Sequence, residues 1–403
     1  MEIRQLTPED REAFARLTRY AFEPTKNTYE NVVPMDYEES HPHLKDMSQV
    51  YGCFDNSNLV STCAFFSSTV IIRNKEFPMS GIWGVATAPS YRNKGLVYKI
   101  LHKILKEMQE KQLLISCLYP FKFSFYEQFG WKLANDNHRY HIETSKLIFR
   151  PITNRVVREV FTLDHIKEVY SKIAGHKYNY MLKRTEEDWR RRVNPKEPGY
   201  LFVCYNAKDK PSGYVITRFL EHQPPSPEGV EKSEETIYLS EIFWDDRKTK
   251  QALFNFLKTH MDHRNYIVFS TADSNILAFL KEARIKANEV FPASMVRIVD
   301  IIPVMEAFDY SEKIKLVLKV IDKFCDWNNK SFSFTVSGGR AKLEETTLPS
   351  DVTIEIGSLS QIIVGYRNAS QLYDSWEIDC SKEIVSLLDR LFPLQNNFFR
   401  DFF

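Results

Sequence analysis

The sequence predicts an α+β chain of three domains: two with mixed central sheets flanked by helices, and a third with helices on one face of an antiparallel sheet. Three observations carry this. Residues 81–98, GIWGVATAPSYRNKGLVY, read as strand, turn and helix start. Residues 157–174, VREVFTLDHIKEVYSKIA, repeat the pattern of residues 2–19, EIRQLTPEDREAFARLTR: strand, threonine cap, amphipathic helix. Beyond Met295 the pattern changes to short alternating strands. The expected divisions are 1–150, 151–292 and 293–403.

In the first domain, residues 3–6 form a strand, and Thr7 caps a helix with Pro8 at its first position. Residues 24–42 are polar and acidic, with Asp36, Glu38 and Glu39 close together, and read as a loop or as a lid attractive to a cation. Turn residues 55–58 and 74–76 each join two strands. The apolar run 82–86 is a strand that Pro89 ends. Arg92, Asn93, Lys94 and Gly95 make the next turn, and Leu96, Val97, Ile100, Leu101 and Ile104 follow at helical spacing. A helix start carries unpaired N–H groups and partial positive charge, so a turn with a glycine and two cations suits a pyrophosphate.

The second domain repeats the plan through a hairpin around residues 208–211, a strand at 236–244 and a helix from Lys248 to His260. Its turn reads Asp245, Asp246, Arg247, Lys248, without glycine, and two carboxylates there repel phosphate. This second site is not expected to hold a nucleotide. In the third domain, strands are expected around 316–320, 332–336 and 352–356, with Ser358 capping one helix and residues 382–392 forming another.

Basic and acidic residues nearly balance, 54 against 53, so no global field favours nucleic acid or an anionic membrane. Six cysteines lack paired spacing, and Cys117 sits between apolar neighbours that favour an inert thiol over a nucleophile. With no apolar signal core or span-length run, a cytoplasmic protein outside the membrane is expected. His41 and His43 lack a nearby third ligand, so no metal is expected.

The succession of strand, Arg-x-x-Gly turn, helix, strand and then Phe125-Tyr126 to Gly130-Trp131 resembles the acetyl-CoA-binding core of the GNAT N-acetyltransferases, with Val97 where the motif usually has Gly or Ala. The order of such a core, a degenerate copy and a sterol-carrier-like domain ending in FFRDFF resembles the Eis (enhanced intracellular survival) family over the whole chain. That resemblance implies an acetyl-CoA-dependent N-acetyltransferase acting on a small cationic amine of aminoglycoside or polyamine kind. It implies a homo-oligomer, usually a hexamer. Val85, Ala86 and Thr87 would offer main-chain N–H groups to the thioester and pantetheine. Arg92, Asn93, Lys94, Gly95, Leu96, Val97 and Tyr98 would hold the phosphates. By the same resemblance Tyr126 is the general acid and the C-terminal carboxylate of Phe403 the general base. The residues themselves offer Asp36, Glu38 and Glu39 as negative charges for a cationic substrate, and Asp401 as either another such charge or a surface aspartate. A protein or peptide lysine acetyltransferase and a non-catalytic CoA or lipid sensor are the alternatives.

Overall fold

The computed structural model describes residues 1–22, 47–160, 163–193, 199–218, 236–262, 264–282 and 285–401. β1 (Glu2–Gln5) leads to α1 (Arg11–Phe22), with a short 3-10 turn between them in which Asp10 accepts the Thr7 N–H. β2 (Val50–Asp55), β3 (Asn58–Ile72) and β4 (Lys75–Thr87) are joined by tight turns in which Asn56 and Asn74 take left-handed backbone angles. α2 (Leu96–Glu110) crosses to β5 (Ile115–Leu118), parallel to β4, and α3 (Phe123–Glu127) and β6 (Lys132–Leu133) follow. Leu96, Ile100, Leu101, Ile104 and Leu105 pack α2 against one face of this sheet, as their spacing requires.

The chain then leaves the first sheet. β7 (Asp136–Glu143) joins the second sheet, followed by β8 (Arg155–Glu159) and α4 (Asp164–Ile173). β9 (Met181–Leu182) returns to pair with β3, and α5 (Glu186–Arg192), β10 (Tyr200–Tyr205), β11 (Pro211–Arg218), β12 (Thr236–Trp244), α6 (Arg247–Lys258), β13 (Tyr266–Thr271) and β14 (Ala287–Pro292) come next. β15 (Met295–Ile298) crosses back and pairs with β5 and β6. Without it, β5 would present an unpaired edge on the side away from β4. Sheet membership therefore departs from the expected linear divisions: residues 136–143 serve the second sheet, and 295–298, expected in the third domain, serve the first.

The third domain runs α7 (Ile301–Glu306), β16 (Ile314–Ile321), β17 (Ser331–Ser337), β18 (Arg340–Glu345), β19 (Val352–Glu355), α8 (Ile356–Val364), α9 (Ala369–Asp374), β20 (Ile378–Cys380) and α10 (Lys382–Leu391). The alternation is as expected, with Phe332, Phe334 and Val336 buried and their neighbours turned outward. The sheet is not wholly antiparallel, because β16 and β19 pair in parallel through Leu318 and Val352. Nor does Ser358 cap a helix. α8 begins two residues earlier and is buried along its whole length, and Ser358 lies inside it, accepting from Lys132 and donating to Glu377. One buried cluster joins Met79, Cys117 and Val296 of the first sheet to Leu316, Phe334 and Ile362 of the third domain. An apolar cavity between Met305, Phe334, Leu359 and Phe392 measures about 10 Å3, the space of one water.

Candidate active site

β4 and β5 pair from Met79 and Ile115 to Ile82 and Leu118, and no further. β4 itself continues to Thr87 with β3 as its partner, so past Ile82 no strand among the described residues lies against its β5-facing edge. The register slips between Thr62 and Ala64, opposite Gly84, whose φ of 60° bends the strand at the point of divergence. Val85 and Thr87 are half-buried and Ala86 is buried along this open edge.

The open edge runs into the turn before α2. Arg92, Asn93, Lys94 and Gly95 are exposed, Leu96 is buried as the anchor of the helix, Val97 is half-buried and Tyr98 faces outward. Asn93 and Gly95 both take left-handed angles, φ 60° and 71°. The Arg92 Nε donates to the Thr87 carbonyl at 3.3 Å, and the Lys94 ammonium lies 4.6 Å from the centre of the Tyr91 ring, whose hydroxyl is held by Asp55. Among the described residues no side chain caps α2, whose backbone bonding starts with Lys99 N–H to the Gly95 carbonyl. A Cβ built on Gly95 would meet no atom of the described residues within 4 Å. An uncapped 15-residue helix, two cations and open space beside a main chain without a side chain fit a pyrophosphate.

Tyr126 lies on α3, 3% exposed, edge-on to Phe121 and Phe125. Burial raises its phenol above the ordinary value, so it keeps its proton throughout the neutral range. The loop after it is fixed from below by Arg297, fully buried on β15. Its guanidinium donates to the Phe129 carbonyl at 2.5 Å and to Asp322 at 2.5 Å, and lies over the Trp131 ring. Gly130, with φ 85°, is required there, since a Cβ would stand 1.8 Å from that guanidinium. Asp322 also accepts the N–H groups of Phe324 and Cys325, and Phe324 packs on both Phe129 and Tyr98. The third domain thus buttresses the Tyr126 loop and the first turn of α2 together.

The C-terminal segment reaches the same opening. Tyr119, the residue after β5, donates to the Phe399 carbonyl at 3.4 Å, and the Phe399 ring packs on Tyr119 and Tyr180. Phe398 turns the other way, against Tyr178 and Phe243 of the second unit. Asn397 is buried, donating to the Ala134 carbonyl and accepting from Asn179. Asp401 is paired differently from the sequence expectation: Arg184 and Arg192 donate to it at 2.9 and 2.8 Å. Its charge is neutralised within the protein and is not held out to a cation. Asp401, Arg192, Arg218 and Phe66 are among the residues around a cavity of about 140 Å3. Phe403, Asp36, Glu38 and Glu39, with His41 and His43, lie outside the described residues.

Cys117 is buried, its thiol pushed up to about 12 by burial, and it accepts a hydrogen bond from Tyr180 at 2.9 Å, the setting of an inert thiol. In the second unit, β12 and β13 also pair in parallel and part after Tyr238 and Val268. There Asp246 accepts the Thr249 N–H at 2.7 Å and occupies the start of α6 with its own carboxylate. Tyr178, Phe398, Phe243 and Ala272 share one buried cluster in that region. Sequence reasoning missed Arg184, Arg192, Glu241, Arg297 and Asp322. The available signal was a lone charge within an apolar strand, as in residues 295–298, MVRI, and 239–244, LSEIFW.

Residues 2–134 match the acetyltransferase (GNAT) domain, residues 181–298 match a second acetyltransferase (GNAT) domain, and residues 303–400 match the sterol carrier protein domain. An uncharacterized N-acetyltransferase of Streptomyces avermitilis is 22% identical over 340 residues, covering 80% of this chain and 81% of its own. A probable N-acyltransferase of Enterococcus faecalis has the same fold, with a TM-score of 0.85 at 20% identity over 100% of this chain and 99% of that one. The chain is a GNAT-type N-acetyltransferase, and that fold implies acetyl-CoA as the acyl donor. Its architecture, two GNAT domains followed by a sterol-carrier domain, is that of Eis. Eis1 of Mycobacterium abscessus superposes with a TM-score of 0.77 at 17% identity, over 100% of both chains.

Proposed function

We propose that this chain transfers the acetyl group of acetyl-CoA to an amine of a small polycation of aminoglycoside or polyamine kind. The observation that carries the reading is the edge of β4 that parts from β5 and leads into the start of α2, with the C-terminal segment held beside the end of β5 through Tyr119 and Phe399. The main chain at Val85, Ala86 and Thr87 binds the thioester and the pantetheine amides, and residues 92–98 bind the phosphates. The neutral amine attacks the carbonyl carbon, the carbon–sulfur bond breaks, and the thiolate takes its proton from the Tyr126 phenol. Because burial raises that phenol, it enters the step with its proton in place. The carboxylate of Phe403 receives the ammonium proton. The acidic residues at 36, 38 and 39 support a cationic acceptor, and the resemblance to Eis supports a homo-hexamer, which a solution mass measurement checks.

Thiol release from acetyl-CoA with polyamines, aminoglycosides and lysine peptides tests the proposal. Turnover with the first two is expected. Acetyl-CoA binding without turnover on any amine would make the protein a sensor. Turnover on peptides alone would make it a protein acetyltransferase.

A further inference from the structure

We propose that Arg184 and Arg192 are positioning residues for the acetyl transfer, clamping the C-terminal segment through Asp401 over the opening between β4 and β5. The inference rests on the reading that the chain's last carboxylate serves the reaction.

Arg184 belongs by sequence to the second unit, yet its backbone is held on the first sheet. β9, just before it, pairs with Ile71 and Val70, and the Lys183 N–H donates to the Thr69 carbonyl at 2.9 Å. Its side chain, 2% exposed, lies between the Tyr170 and Trp189 rings at 4.2 and 4.7 Å. Two of its nitrogens bind Glu241 on β12 in fork geometry at 2.9 and 2.6 Å, and its Nε donates to Asp401 at 2.9 Å. Arg192, on α5, donates to the same Asp401 oxygen at 2.8 Å and to the Arg400 carbonyl at 3.1 Å. The tail is therefore held by side chain and main chain at once, two residues before the end of the sequence.

Two guanidinium groups and two carboxylates balance in charge, and Asp401 and Glu241 are both held below the usual carboxylate range. Burial alone would raise them, and the two arginines overcome it. Such a buried network is a poor source of stability, since apolar packing of equal volume does as well. What it supplies is direction. Arg has a rigid planar fork that can bind Glu241 with one side and aim the remaining N–H at Asp401, which a lysine ammonium cannot do. Near the reaction centre, a displacement of about 1 Å costs on the order of 10²-fold in rate.

The test uses the full chain with Asp401→Asn, Asp401→Glu and Arg184→Lys, beside a chain extended by one glycine. Asp401→Asn keeps the shape but removes the charge both arginines hold. Its kcat is expected to fall on the order of 10²-fold, with acetyl-CoA affinity unchanged and carboxypeptidase removing its last residues faster than from the native chain. Asp401→Glu regains part of the kcat, and Arg184→Lys does not. Where Asp401→Asn fails to fold, Arg192→Gln, which leaves the Arg184–Glu241 pair intact, takes its place. Native digestion rate and native kcat in Asp401→Asn, with turnover lost in the extended chain, overturn the clamp and leave the terminal carboxylate in its role. Full turnover in the extended chain overturns that role, and the positioning inference falls with it.

Discussion

Gly95→Ala separates the cost of folding from the cost of binding at the turn before α2. At φ 71°, alanine pays the penalty of a left-handed backbone, about 1 kcal/mol. With an unfolding entropy of roughly 2.1 cal/mol/K per residue over the whole chain, the melting temperature falls by only about 1–2 °C. No atom of the described residues lies within 4 Å of the new methyl group, so none of them opposes it. It projects instead where the phosphate must approach the main chain. Losing one charge-assisted hydrogen bond, about 1.5–3 kcal/mol, weakens acetyl-CoA roughly 10- to 100-fold. Calorimetry measures the affinity, and kcat at saturating acetyl-CoA is expected to stay native. Gly95→Asn adds a discriminating arm: asparagine tolerates the left-handed angle better, so stability recovers while binding stays weak. A Gly95→Ala protein with native acetyl-CoA affinity would refute the phosphate assignment.

Four other outcomes are expected. Tyr126→Phe keeps the ring packing against Phe121 and Phe125 and lowers kcat by about 10²–10⁴-fold at unchanged acetyl-CoA affinity; a native rate excludes the phenol as acid. Arg297→Met leaves Asp322 buried without its partner at about 3–5 kcal/mol, which on the entropy above lowers the melting point by roughly 5 °C; a melting point unchanged in scanning calorimetry contradicts the strut. Glu377 is held at about 2: burial would raise it, but hydrogen bonds from Lys132, Arg367 and Ser375 win. Its folded value lies below the unfolded 4.5, so its stabilisation is complete above that value and disappears as pH falls from about 4.5 towards 2. Urea titrations should show Glu377→Gln weaker by about 1 kcal/mol at pH 7, after screening, and equal to the native chain near pH 2. Binding calorimetry should give one acetyl-CoA per chain, because Asp246 already occupies the corresponding helix start in the second unit.

Much was legible from residue order alone because it is local. The apolar spacing of α2, the asparagine turns of the first sheet, the Arg92 to Gly95 turn and the anionic turn at Asp245 and Asp246 each depend on residues within one or two helical turns. The repeat of residues 2–19 at 157–174 shows in the same way, and so do the buried phenylalanines near the end, since Phe398 and Phe399 were too apolar to leave in water. The start of α8 is not legible at Ser358, because a serine that reaches across to Glu377 looks, in sequence, like a cap.

Sequence by itself determined the strand–turn–helix that suits a pyrophosphate, the two carboxylates that replace its glycine turn in the second unit, and the three-domain order. Only the tertiary structure decided that β7 and β15 change sheets, that Arg297 pairs with Asp322 beneath the Tyr126 loop, and that Asp401 is bound by two arginines. The reason is the distance along the chain. Periodicity, caps and turns are set between neighbours, whereas a strand edge or a buried charge takes whatever partner the folded chain brings to it, here from 25 to more than 200 residues away.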